Sequence, residues 1–238
     1  MSFDNFKDIS ISENFLEKYF EPLQKSYKEL CDKKGTENIN RGSRLFDLRF
    51  RLNMDLNVTI NTQYSSTKKT FVKNIYETLF LLLDLWNVYE VANSNVKMLG
   101  LLEKNDKKFD TFFFDKDDLG SEIKNYLDFF NKEIKDSKIC ESFKNYLNHF
   151  KELDSITHSN KVKYDEIIKK INDNTNFDVE DVLFLIYMER NAFYHGGEAA
   201  KSGTNYSFKQ NLLNFYVVFL RYFIAEYGIK MFNKELEL

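Results

Sequence analysis

The chain has a single proline, Pro22, and 8 glycines in 238 residues. So few chain breakers exclude an architecture of many short strands joined by tight turns, and they favour long helices. Cysteine is nearly absent. Cys31 and Cys140 lie far apart in no metal-like spacing, so they read as two reduced thiols and not as a disulfide framework or a zinc site. Histidine is scarce too. His149 and His158 have no convincing set of ligands around them, Glu152 being the best partner available to His149, and they read as surface or packing residues. No sign of charge dominates: the net charge is −3 and the pI about 5.8, so any nucleic-acid binding must use a local patch. Long uncharged apolar runs are also missing. The best candidate, 208–229, is interrupted by Asn214, Arg221 and Glu226. The start, Met1-Ser2-Phe3-Asp4, lacks the basic and apolar regions of a signal peptide. The expectation is a soluble, cytoplasmic protein with no membrane contact.

What the chain has in quantity is aromatic and apolar side chains: 43% hydrophobic residues, with 24 Phe and 14 Tyr. That composition packs a core and excludes a disordered chain. Phe15, Tyr19, Leu23, Tyr27 and Leu30 recur at helical spacing and predict a helix over 12–34, capped by Ser12, closed by Gly35 and kinked or divided at Pro22. Phe71, Ile75, Leu79, Leu82, Trp86 and Tyr89 predict a second over 69–92, ended by Asn93-Ser94-Asn95, with Trp86 in the core. Helices are also predicted over 119–136, 138–157, 161–172, from Val179 onward with Asp178 as cap, and over 208–232. The acid-rich segment 104–118 lacks the ligand order of a calcium loop and reads as linker.

Residues 41–62 differ, because their apolar positions nearly alternate with polar ones. That is the period of a half-buried strand, a loop with a short helix being the alternative. Four of the six arginines fall here, Arg41, Arg44, Arg49 and Arg51, in a chain that otherwise prefers lysine. The planar guanidinium suits phosphate, which makes them candidates for substrate contact. A solvated strand face paired with Asp47 and Asp55 is the plainer reading. The fold class is therefore all-α, with a possible strand or hairpin in an N-terminal extension. The expected division is residues 1–62 as that extension, packed on a helical domain of 63–238, or one continuous domain.

The densest chemistry lies at Glu189-Arg190-Asn191-Ala192-Phe193-Tyr194-His195-Gly196-Gly197-Glu198, a polar cluster between two strongly apolar segments. Asn191 and His195, four apart, share a helix face, whereas Arg190 and His195, five apart, sit about 140° apart on a regular helix. They converge only if the helix ends near His195, as Gly196-Gly197 would allow, or if a second subunit completes the site. A neutral imidazole can take a proton from an RNA 2′-hydroxyl, and a guanidinium can stabilise charge on the phosphorane-like transition state. The attacking oxygen is already tethered to the scissile phosphate, so the chemistry needs no metal. One histidine does not easily serve as base and acid together, and a two-fold dimer supplies two. The alternative is a helix terminus in which Arg190 and His195 complement the dipole and Gly196 caps.

Arg190-Asn191-Ala192-Phe193-Tyr194-His195-Gly196-Gly197 resembles the Arg-x(4–6)-His motif of HEPN domains, compact helical bundles that carry this motif late in the fold. The motif match is confined to this stretch; the fold-level likeness extends over about 70–232. The resemblance implies an endoribonuclease without cofactor that leaves a 2′,3′-cyclic phosphate. It implies Arg190 and His195 as catalytic residues with Asn191 orienting the imidazole. It further implies RNA as substrate, a homodimer through the motif face, and an antitoxin or phage-defence partner. Some members are not catalytic, so a module that binds RNA, a nucleotide or a partner protein is the alternative. Toxins of the family that are modified by a partner nucleotidyltransferase carry Tyr two residues after the histidine; Gly197 stands there, so that regulation is not implied. Tyr194 and Lys201 are the near neighbours that qualify as substrate contacts, Tyr194 by stacking on a base or else by packing in the core.

Overall fold

The computed structural model describes residues 14–33, 66–98, 120–152, 157–194 and 206–236. The described residues are almost wholly helical, and no strand occurs among them, so the fold is all-α. A π-helical turn, Leu16–Phe20, leads into α1, Glu21–Lys33. Then come α2 (Ser66–Met98), α3 (Ser121–Ile134), α4 (Ser137–Lys151), α5 (His158–Asn172), α6 (Val179–Tyr194) and α7 (Tyr206–Leu236). The strand expected within 41–62, the boundary at 62, and the caps Ser12 and Gly35 lie outside the described residues.

Pro22 divides its helix for a stereochemical reason. Its ring has no N–H to give and crowds the carbonyl four residues back, that of Lys18. The wider π turn sits there, and the α-helix restarts at Glu21 with Pro22 in its first turn, where no N–H is required. Helix α2 continues to Met98, past the Asn93-Ser94-Asn95 expected to end it. Asn and Ser are weak helix formers, each costing well under about 1 kcal/mol relative to Ala, and without Gly or Pro they do not stop a helix.

The described residues fall into two compact units. One comprises 66–82, 124–152, 157–194 and 206–217. Its core is aromatic: Phe130 stacks on Phe215 at 4.7 Å between ring centroids and meets Phe143 and Phe177 edge to face. Caps fix the shorter helices. Asp136 accepts from the N–H groups of Lys138 and Ile139 at the start of α4, and Thr157 accepts from Asn160 at the start of α5. After α5, Asn174 takes the left-handed conformation (φ 55°), which asparagine tolerates better than most residues. Helix α6 is buried on nearly every side from Val179 to Met188, as a helix at the centre of a bundle must be.

The other unit comprises 14–33, 83–98, 120–123 and 218–236. Phe15, Tyr19 and Tyr222 pack there, Tyr222 meeting the other two edge-on at 5.1 and 5.4 Å. Trp86 is fully buried, as expected, and donates its indole N–H to Glu90 at 3.1 Å. Among the described residues no helix is long and apolar enough to cross a membrane.

Candidate functional site

Helix α6 carries the first part of the motif, and its start is held in two ways. Asp178 and Asp181 form a reciprocal capping box: each carboxylate accepts from the other residue's backbone N–H at 3.0 Å. Asp178 thus caps the helix, as its sequence position predicts. Just before it, the buried amide of Asn131 in α3 brackets Phe177, accepting from its N–H at 2.7 Å and donating to its carbonyl at 3.0 Å. Lys170 and Lys163 of α5 pair with Asp181, and Lys170 also reaches Asp178 at 3.3 Å. Burial pushes the Asp181 carboxyl above its ordinary value, against the pull of Lys170.

The far end of α6 presents the candidate site. Arg190 is half-buried and donates from Nη1 to Oδ1 of Asn191 at 2.8 Å. Its guanidinium lies 5.1 Å from the centroid of the Tyr194 ring, one turn further on. Among the described residues no carboxylate pairs with it, and its buried Nε makes no hydrogen bond. Tyr194 is 68% exposed, so it does not pack in the core. The structure therefore brings Arg190, Asn191 and Tyr194 together. With its oxygen engaged by Arg190, Asn191 still has an amide N–H to offer an acceptor such as a neutral imidazole. No basic side chain lies in the last described turn of α6. His195, Lys201, Arg41, Arg44, Arg49 and Arg51 lie outside the described residues.

Sequence reasoning missed what stands behind Arg190. Glu189 points into the core, where the Tyr146 hydroxyl donates to Oε2 and Lys209 Nζ lies 3.3 Å from Oε1. Glu189 and Lys209 are each only 1% exposed. Tyr216, fully buried nearby, has its hydroxyl pushed well above the ordinary tyrosine range, by burial first and then by the negative charge of Glu189. A carboxylate placed directly after the apolar run Val182–Met188, and a lysine at the start of α7, were the available signals. They resembled ordinary polar interruptions.

A concavity of about 250 Å³ lies near the opposite end of α6, lined by Asn131, Lys135, Cys140, Lys170, Asn174 and Phe177 among others. Lys170 is already paired with Asp178 and Asp181, and Lys135 donates to the neutral amide oxygen of Asn176 at 2.8 Å. Compared with protein-family models, with curated proteins and with solved structures, the chain matches none.

Proposed function

We propose that the chain is an endoribonuclease of the HEPN type, acting as a homodimer in phage defence or as a toxin. The observation that carries this reading is the state of Arg190. Its guanidinium is held in place by Asn191, exposed on one side beside Tyr194 and unmatched by any carboxylate among the described residues. A fixed cation with no carboxylate partner among the described residues suits a transferring phosphate.

In the proposed reaction His195 takes the proton from the RNA 2′-hydroxyl, and the 2′-oxygen attacks the adjacent phosphorus. The P–O5′ bond breaks, the 5′-oxygen leaves with a proton from a second imidazole, and a 2′,3′-cyclic phosphate remains. Arg190 bears on the non-bridging oxygens as charge builds there, and Asn191 orients the imidazole. No step calls for a metal, because the nucleophile is already part of the substrate.

The test is incubation of the purified chain with mixed RNA in the presence of EDTA. Cleavage is expected, with cyclic-phosphate ends. Arg190→Ala should lower the rate by about 10²–10³-fold and His195→Ala by about 10²–10⁴-fold, with melting curves unchanged. Binding of RNA without cleavage by the wild-type dimer would instead favour a non-catalytic HEPN module.

A further inference from the structure

The concavity near the start of α6 lies wholly within one compact unit and is framed by backbone whose own bonds are made. The chain after α5 folds back on that helix: Asp173, Asn174 and Thr175 donate their backbone N–H groups to the carbonyls of Lys169, Ile171 and Lys170 at 2.9, 3.3 and 2.8 Å. The end of α3 is closed in the same way, Lys135 donating to Lys132 at 3.2 Å and Asp136 to Glu133 at 3.1 Å. The Asn131 amide ties Phe177 to α3 through both backbone groups of the phenylalanine. Walls pinned in this way keep about 250 Å³ open between them, as a pre-formed ligand pocket does. Part of the lining is apolar, for Ile134, Ile171 and Phe177 are all buried.

Charge narrows the occupant. No carboxylate stands among the described lining residues, whereas two ammonium groups do. Lys170 is neutralised by Asp178 and Asp181. Lys135 is not, because the only partner of its ammonium among the described residues is the neutral amide oxygen of Asn176. One uncompensated positive charge thus stands beside an apolar wall, with the Thr175 hydroxyl as a further polar group. A carboxylate carries one negative charge and matches it, whereas a phosphate monoester carries nearly two at neutral pH. Size sets the rest: at about 30 Å³ for a water, the space suits an acid of about ten non-hydrogen atoms. We propose that this concavity binds a small monocarboxylic acid, its carboxylate on Lys135 and its apolar body against Ile134, Ile171 and Phe177. The proposal goes beyond the ribonuclease reading and is independent of it, since it uses none of the residues at the far end of α6.

Cys140, half-buried and part of the lining, serves as a built-in reporter. The full chain is alkylated with iodoacetamide at fixed ionic strength, and labelling of the Cys140 and Cys31 peptides is followed by mass spectrometry. Benzoate and isovalerate are the probes. At least one of them should slow alkylation at Cys140, by about tenfold at ten times the dissociation constant that its titration gives, and leave Cys31 unmoved. The same acid should raise the melting temperature as its concentration rises. Benzamide, of the same shape but neutral, should protect far less than benzoate, and phenyl phosphate no better than benzoate. Lys135→Met and Lys135→Gln remove the charge and keep most of the stem. Each should weaken the protecting acid by about 5-fold, the upper end for an ion pair that stays in contact with water. Lys135 is exposed, so both variants should melt with wild type, which circular dichroism checks. No protection by either acid, equal protection by benzamide, or unchanged affinity in both Lys135 variants overturns the proposal. Tighter binding of phenyl phosphate makes the concavity a phosphate site and equally overturns it, as does equal slowing at Cys31. None of these readouts involves RNA, so failure of the ribonuclease reading leaves them unaltered.

Discussion

Glu189 sits between Lys209 and the Tyr146 hydroxyl with almost no solvent, and this sets what substitution there does. Taking two charges out of water costs several kcal/mol per ion, which their attraction offsets only while both remain. Removing one partner strands the other. Lys209→Met is therefore expected to destabilise the fold by about 3–5 kcal/mol. The triple variant Glu189→Leu, Lys209→Met, Tyr146→Phe, which removes every polar member together, should recover most of that loss in urea unfolding. If the single and triple variants are equally unstable, the network is not an ion pair of this kind. At this scale Arg190 and Asn191 could be read from residue type and spacing alone. Their backing could not, because Tyr146 lies 43 residues from Glu189 along the chain and only tertiary packing joins them. Tyr194 was legible as an aromatic but not as an exposed one, since nothing in the local pattern tells a core ring from a surface ring.

Among the elements, the helices were legible because the 3.6-residue period needs only local information. Helices α6 and α7 are apolar on most sides, and they read as helices through length and the lack of breakers. The interruptions within α7 argued against a membrane span but gave no hint of what they contact. Arg221 and Glu226 are both buried. Glu226 lies at the start of α3, where the backbone N–H groups of Glu122 and Ile123 and the Tyr19 hydroxyl bond to it. A helix N-terminus receives a carboxylate favourably, so a charge in an apolar helix serves as the cap of another. Gly120 makes room for it: a Cβ there would fall 1.8 Å from Oε2 of Glu226. Gly120→Ala should therefore destabilise by about 1–3 kcal/mol, the usual range for overpacking. Glu226→Ala should relieve the clash, so in a double-mutant cycle the two changes should cost less together than the sum of each alone. Strict additivity would show that no such contact exists.

For the whole molecule, two buried carboxyls make stability fall as pH rises. Burial is the largest influence on both, raising Asp181 above 3.8 and Glu226 above 4.5. Between the ordinary and the raised value the folded chain holds a proton that the unfolded chain has released. Their contribution is thus full below the ordinary value and is lost as pH climbs through the folded one. Glu226→Gln isolates one of them. The variant should melt above wild type at neutral pH, with the gap closing as pH falls through the raised value and closed by about 4.5. A gap independent of pH would mean that Glu226 does not titrate abnormally. The proposed activity is also a whole-molecule property, because one imidazole does not easily act as base and acid in one step. A composite two-fold site requires two copies, and mixing wild type with an inactive variant separates it from two independent sites. A mixed dimer of wild-type and His195→Ala chains holds one imidazole where the proposed reaction calls for two. At constant total protein, RNA cleavage should thus fall as the square of the wild-type fraction as His195→Ala chain is added, and the wild-type rate should fall more steeply than linearly on dilution through the dimer dissociation range. Cleavage linear in the wild-type fraction, and strictly proportional to protein at all concentrations, would place a complete site on each single chain.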